Sequence, residues 1–282
     1  MKIALIPNMT RQNAPDVTKQ VLEELKNLEV SVFLSDEFSD VFGKADYITY
    51  CDIENSIAEC DIVITVGGDG TFIKSAKLSA EKNKPLLCVN AGKLAYLAGL
   101  ESTELPLLKN VVKGEFKTEK RMMMSATIID KSGGIIYHSN CLNDAVVSRC
   151  GTVRIMNLSI DCNGAHLMDY SADGVIVSTP TGSTAYSFSA GGPVIEPQID
   201  SMLITPVCCH SFFSRSVVLR PDSILEVRHD NSGEAMLSCD GEEPVLVPTD
   251  AVVKIESSRK KAEFIKVKND TFIDILNKKM TK

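Results

Sequence analysis

The pattern of apolar and polar positions changes texture once along this 282-residue chain. In the first part, short and almost wholly apolar runs alternate with segments whose apolar residues recur every three or four positions. Residues 2–6, 30–34, 61–66 and 84–90 are runs of the first kind and predict strands, the last two of them buried on both faces. Asn13-Ala-Pro15 predicts a helix start two residues ahead of the proline, followed by Val17, Val21, Leu22 and Leu25 at helical spacing. Residues 53–58, 72–80 and 105–112 predict further helices, the first of them weak. Strands alternating with helices predict a parallel sheet with crossover helices, a Rossmann-like α/β domain over residues 1–115. Ligands of such sheets sit beyond the carboxyl ends of the strands, where Gly67 and the Asn90-Ala-Gly92 turn fall.

From about Lys117 the texture changes. Residues 122–130, 134–139, 145–148, 153–161, 174–179, 216–219, 223–228, 234–239 and 251–257 are short β-rich runs. Lys-Ser-Gly-Gly, Asn-Gly, Asn-Ser-Gly and Asp-Gly turn signals separate them. Many short strands with regular turns predict an all-β, sandwich-like C-terminal domain over residues 116–265. The tail, 266–282, carries an amphipathic helix from Thr271 expected to dock back on the N-terminal domain.

Composition adds exclusions. Hydrophobic residues make up 44% and charged residues 24%, ordinary for a globular protein. The net charge is −7 and no lysine/arginine block stands out, which argues against nucleic acid and requires a local site for any anionic ligand. No apolar run reaches bilayer length, and Met1-Lys-Ile-Ala-Leu-Ile-Pro leads straight into a strand. Nine cysteines lie scattered without a C-x-x-C, and Cys208-Cys209-His210 has poor spacing for a zinc clip. A cytoplasmic chain with free thiols and no membrane partner is the expectation.

Two stretches carry candidate chemistry. In the first, the 61–66 strand runs into Gly67-Gly-Asp-Gly-Thr71 and then a helix. A glycine turn there lets backbone N–H groups approach a phosphate, with the helix N-terminus adding favourable field. Asp69 repels phosphate, so it is expected to carry a metal, a hydroxyl or a proton. The second runs from Asp173 to Pro193 and opens, after a strand, into Thr179-Pro-Thr-Gly-Ser-Thr-Ala-Tyr186. Its hydroxyls and small residues suit a sugar or an amide, and Tyr186 offers a ring to stack on a heteroaromatic base. Read alone, it also fits a polar loop capping a helix, and Asn143-Asp144 fits a turn.

Together these segments resemble the NAD kinase family over nearly the whole chain. Gly67-Gly-Asp-Gly-Thr71 resembles its phosphate-donor loop and Asn90-Ala-Gly-Lys-Leu-Ala-Tyr-Leu97 its next loop. Leu142-Asn-Asp-Ala-Val-Val resembles its Asn-acid pair, and the Asp173–Pro193 stretch its longest signature. Thr205-Pro-Val-Cys-Cys-His-Ser211 and Asp240-Gly-Glu242 resemble later ones. The glycine element alone is shared with lipid kinases and phosphofructokinases; the 179–193 stretch is far more specific.

The resemblance implies transfer of the terminal phosphoryl group of ATP, or of polyphosphate, to the adenosine ribose 2′-hydroxyl of NAD, giving NADP. It implies Asp69 as general base and ribose contact, and Gly67, Gly68, Gly70, Thr71 and Lys74 at the phosphate donor. It places Gly70, Tyr96, Asn143, Asp144, Arg154, Asp173, Thr181, Thr184, Ala185, Tyr186, Ser187, Ser189 and Glu242 against NAD. Mg²⁺ or another divalent cation is expected with ATP, held by phosphates and water because no all-protein metal cage is visible. A homodimer or homotetramer is implied. Ala95 stands where the family usually has glycine, Asp144 where glutamate is common, Glu242 for the usual glutamine, and Cys209 and Ser216 at frequent prolines. Two other readings fit the glycine element: a lipid or sugar kinase, for which neither a membrane-facing apolar surface nor an arginine cluster is present, and a dinucleotide-binding sensor without catalysis.

Overall fold

Residues 1–10, 13–92, 95–151, 155–230 and 234–280 are described by the computed structural model. They form two units, Met1–Lys120 with Ala262–Lys282, and Arg121–Lys261. In the first, strands β1 (Lys2–Pro7), β2 (Ser31–Ser35), β3 (Ile48–Cys51), β4 (Ile62–Gly67) and β5 (Leu86–Asn90) are all parallel and lie in the order 3-2-1-4-5. Helices α1 (Ala14–Asn27), α2 (Ser39–Phe42), α3 (Ile53–Glu59), α4 (Asp69–Glu81) and α5 (Leu108–Val112) connect and flank them. Every residue of β4 and β5 is buried, as an apolar run covered on both faces must be. Val17, Val21, Leu22 and Leu25 form the buried stripe of α1. Strand β6 (Leu100–Glu101) adds to β5.

Two features of this unit depart from the sequence expectation. The helix expected from residue 72 begins at Asp69, with Gly68 as its extended N-cap. The glycine segment is therefore the end of a strand and the first turn of a helix, not a loop. The helix expected over 105–112 is a 3₁₀ segment, Ser102–Leu107, followed by α5. Pro106 lies inside the 3₁₀ segment and lacks the N–H that an α-helical turn would use. The order of the strands reverses between β1 and β4, so the carboxyl ends of these two strands mark the expected ligand position.

The second unit is a two-sheet sandwich. Along the chain come β7 (Lys117–Ile129), β8 (Ile135–Cys141), β9 (Asp144–Arg149), β10 (Met156–Cys162), β11 (Ala165–Ala172) and β12 (Gly174–Ser178). After helix α6 (Tyr186–Ser189) follow β13 (Met202–Val207), β14 (Val217–Leu219), β15 (Leu225–His229), β16 (Ala235–Cys239), β17 (Val245–Val247) and β18 (Val252–Lys266). One antiparallel sheet has the order 14-13-12-9-16-17, and the other contains 11-10-15-18, with β7 pairing β8 and β18. Ala145, Val147, Val175, Val177, Ile204 and Leu237 from the first meet Leu158, Ile160, Tyr170, Val227 and Val253 from the second in one core. Hairpin β10–β11 turns on Asn163-Gly164, both at positive φ (53° and 78°), as a two-residue hairpin of right-handed strands requires.

Strands β3, β11, β13 and β17 have no counterpart in the sequence reading. The polar residues of β11 mask its alternation, and Pro206 sits inside β13, where prolines are normally unwelcome. Neighbouring β14 reaches only Met202–Ile204, so no partner on that side misses a donor at 206. Strand β18 runs fifteen residues, past the polar Ser-Ser-Arg-Lys-Lys segment where the sequence pattern fades. Its last residues belong to the first unit, Phe264 pairing with Leu86. The final helix, α7 (Phe272–Met280), packs within the first unit, where Lys268 joins Glu104 at 2.8 Å. Among the described residues no helix is long and apolar enough to cross a membrane.

Candidate active site

In the first unit the site is built at the carboxyl ends of β1 and β4. Asn8, just beyond β1, donates from Nδ2 to Thr71 Oγ1 at 2.7 Å, bridging the point where the strand order reverses. Gly67 ends β4 beside that threonine. A Cβ there would lie 2.7 Å from Thr71 Oγ1, so only glycine lets the first turn of α4 close over the strand. The Gly67 carbonyl accepts from Ala91 N at 2.8 Å. Gly67 and Gly68 are buried, whereas Gly70 and Lys74 are exposed; a Cβ on Gly70 would meet nothing within 4 Å. The open approach to the helix start is thus at Gly70, with Lys74 one turn on.

Asp69 occupies the first helical position, where the helix field favours a negative charge. Its carboxylate accepts two backbone hydrogen bonds from the loop after β5: Tyr96 N to Oδ2 at 2.9 Å and Leu97 N to Oδ1 at 3.0 Å. Each oxygen keeps a lone pair for a further donor. The N–H of Tyr96, expected as an adenine contact through its ring, therefore also fixes the candidate base. Burial, and after it the charge of Asp69, pushes the Cys88 thiol beneath well above its ordinary range, so Cys88 is inert.

In the second unit, strand alternation sends Ala145 and Val147 into the core and Asp144, Val146 and Ser148 to the opposite face, joined there by Met236 and Ser238 of β16. That face forms the floor of a cavity of about 650 Å³, within the range of small-molecule sites. Asn143, Asp144, Ala185 and Tyr186 line it together, and Tyr186 is 47% exposed. The Asn143 side-chain oxygen is buried with no hydrogen-bond partner among the described residues, an acceptor open to a ligand donor. Burial, then the neighbouring Asp240 charge, pushes the Asp144 carboxyl up to about 7.

The sequence reading gave Asp240 no role. Its carboxylate accepts from three successive backbone groups, Leu142 N at 2.7 Å, Asn143 N at 2.7 Å and Asp144 N at 3.0 Å. It does so from a left-handed turn (φ 53°) followed by Gly241. Its local signals are the Asp-Gly pair and the Asp240-Gly-Glu242 segment. Thr179 holds the same turn from the other side: its N–H donates to Asn143 O at 2.8 Å and its hydroxyl to Leu142 O at 2.5 Å. Gly182 packs so closely that a Cβ would stand 2.0 Å from Asn143 O.

The hydroxyl-rich 179–193 stretch differs from expectation in what its hydroxyls do. Thr179, Thr181, Ser183 and Ser187 are all buried. Ser183 Oγ donates to Pro180 O at 2.7 Å and accepts from Ile195 N at 2.9 Å. Ser187 Oγ pairs with Thr205 Oγ1 at 2.9 Å, and Thr181 Oγ1 accepts from Arg121 Nη1 at 3.4 Å. These hydroxyls shape the loop from inside, because a buried hydroxyl without a partner is costly. Thr184 is half-buried, its hydroxyl on Thr181 O at 3.3 Å, and Ser189 is exposed.

Asp173 does not line the cavity. It binds Arg149 Nε at 2.7 Å, and that hydrogen bond holds its carboxyl below the usual range. Arg149, which does line the cavity, was not singled out from the sequence. Glu242 is half-buried and absent from the lining, although Gly241 and Pro244 beside it contribute. Arg154 lies outside the described residues. Among the described residues, no three His, Cys, Asp or Glu side chains gather where they could hold a metal ion.

Comparisons with known proteins match both halves of the chain. Residues 3–116 match the ATP-NAD kinase N-terminal domain and residues 142–267 the ATP-NAD kinase C-terminal domain. The NAD kinase of Caldanaerobacter subterraneus subsp. tengcongensis is 37% identical over 284 residues, covering 99% of both chains. That of Acetivibrio thermocellus is 35% identical, covering 99% of this chain and 97% of the relative. Among solved structures, yeast NADH kinase complexed with NADH shares the fold at a TM-score of 0.90 and 24% identity, over 100% of this chain and 87% of that one. The Archaeoglobus fulgidus NAD kinase in complex with ATP matches at 0.74 and 25% identity, over 100% and 98%. On the two domain matches and the full-length identity, this chain belongs to the NAD kinase family.

Proposed function

We propose that the protein is an NAD kinase in which Asp69 takes the proton of the adenosine ribose 2′-hydroxyl while that oxygen attacks the terminal phosphorus of ATP or polyphosphate. The new P–O bond forms as the bond to the leaving phosphate chain breaks; the products are NADP and, from ATP, ADP. The observation that carries this reading is the Asp69 carboxylate, held by Tyr96 N and Leu97 N at the first turn of α4. Two backbone donors remove its rotational freedom, and each oxygen retains capacity for a hydroxyl donor. Gly70, whose Cβ position is open, and exposed Lys74 suit the phosphate donor. The cavity bordered by Asn143, Asp144, Ala185 and Tyr186 suits NAD, its ring stacking and unpaired Asn143 acceptor matching a nucleoside.

The donor carries a magnesium ion or another divalent cation as part of the substrate, neutralising the spread charge of the transferred group. Phosphate oxygens and water supply most of its ligands, as is usual for a magnesium ion bound with a nucleotide. Phe212 (109% exposed) and Phe213 (51%) support a homo-oligomer, and the nine free cysteines suit a reducing cytoplasm.

The test is NADP formation from NAD, ATP and Mg²⁺ by the purified protein and by Asp69→Asn. The variant keeps the side-chain size but loses the base and one of the two acceptors for Tyr96 N and Leu97 N, so kcat is expected to fall by about 10²-fold or more while NAD still binds. Full activity in Asp69→Asn would remove the base assignment.

A further inference from the structure

The loop that holds Asp69 is fastened by a chain of polar contacts beginning far from it. Asn90, at the end of β5 and 2% exposed, uses both ends of its amide: Oδ1 accepts from Gly92 N at 2.8 Å, and Nδ2 donates to Glu101 Oε2 at 2.8 Å. Glu101 caps the 3₁₀ segment that follows the loop. Its side chain accepts from Glu104 N, and Glu104 Oε2 accepts from Glu101 N at 2.8 Å, a reciprocal capping box. Glu104 Oε2 is also bound by Lys268 Nζ at 2.8 Å, from the tail. Burial alone would raise the Glu104 carboxyl, but the Glu101 N–H and the Lys268 ammonium outweigh it and hold the group below its usual range. Asp270, 3.5 Å from Lys268, extends the chain to Lys278 at 3.7 Å on α7.

The loop needs this fastening. Behind it lies a cavity of about 280 Å³ bordered by Ala95, Ala98, Gly99, Lys268 and Ile275, which leaves a gap between this part of the loop and the tail. Its far end is pinned by Gly99 N on Cys88 O at 2.9 Å, and a Cβ at Gly99 would stand 2.9 Å from Leu87 Cδ1. Between the two pinned ends, Tyr96 and Leu97 present their N–H groups to Asp69.

We propose that Asn90, Glu101, Glu104 and Lys268 are positioning residues for Asp69, a relay through which the C-terminal tail sets the loop that orients the base. None of them lines the cavity bordered by Asn143, Asp144 and Tyr186. The proposal rests on Asp69 being the base, and its test separates the two.

Amide hydrogen exchange at Tyr96 and Leu97 is measured in wild type, Glu101→Ala, Lys268→Met and Lys268→Arg, beside kcat and KM for NAD. Glu101→Ala and Lys268→Met are expected to speed exchange at both amides and to lower kcat by about 10- to 100-fold, as a misplaced catalytic group does. KM for NAD stays within about 3-fold, and Lys268→Arg restores most of the loss, because the guanidinium still meets Glu104. Unchanged exchange in Glu101→Ala and Lys268→Met overturns the relay. Faster exchange with unchanged kcat overturns the positioning role. A wild type that makes no NADP overturns the function instead, while the exchange rates still decide the relay.

Discussion

The buried acid at Asp144 should make the protein less stable as pH rises, and replacing it by asparagine should remove that loss. The carboxyl is 5% exposed beside Asp240, and burial followed by that charge lifts it from 3.8 to about 7. Between those values the folded state binds a proton that the unfolded chain releases. Stability therefore falls with rising pH across this window, is unaffected below about 3.8, and has lost its full share above about 7. At about 1.4 kcal/mol for each pH unit in the window, the penalty at neutral pH is about 4 kcal/mol. Asp144→Asn keeps the shape and cannot ionise. Urea unfolding of wild type and variant at pH 5, 6, 7 and 8 isolates the effect, since any packing change from the amide is independent of pH. The stability difference should move in the variant's favour by about 1.4 kcal/mol per pH unit up to pH 7 and then level off. A difference flat from pH 5 to pH 8 would refute the reasoning. The same variant should bind NAD more weakly, because the carboxyl lines the cavity floor. The penalty would then be a stability loss accepted for a ligand contact.

Two further variants probe how the cavity is held. Asp240→Ala leaves three backbone N–H groups without their charged acceptor and should lower unfolding stability by about 3 kcal/mol while raising KM for NAD, measured by urea unfolding and steady-state kinetics. Gly182→Ala puts a methyl 2.0 Å from Asn143 O, so the Asn143-Asp144 turn must move; KM for NAD should rise about 10-fold or more, and a wild-type KM would show that the turn does not contact the dinucleotide.

By itself the sequence determined the two kinds of sheet, because the side-chain period is local. Predominantly apolar runs at residues 61–66 and 84–90 became β4 and β5, buried on both faces, and short β-rich runs became the two-faced strands of the sandwich. It also marked Asp69, since an acid among glycines after a buried strand is legible without coordinates, and the ordered segments pointed to the family.

Only the tertiary structure decided what the polar side chains do. Thr181 and Ser187 read from the sequence as ligand groups, yet both are buried with their hydroxyls bonded inside the fold. Asp240 reads as a turn residue, yet it clasps Leu142, 98 residues away, and Asp69 is oriented by N–H groups 27 and 28 residues further on. Helical and strand periods are set by neighbours along the chain. A hydrogen bond between residues so far apart in sequence depends on strand order and register, and these are fixed only when the whole core packs.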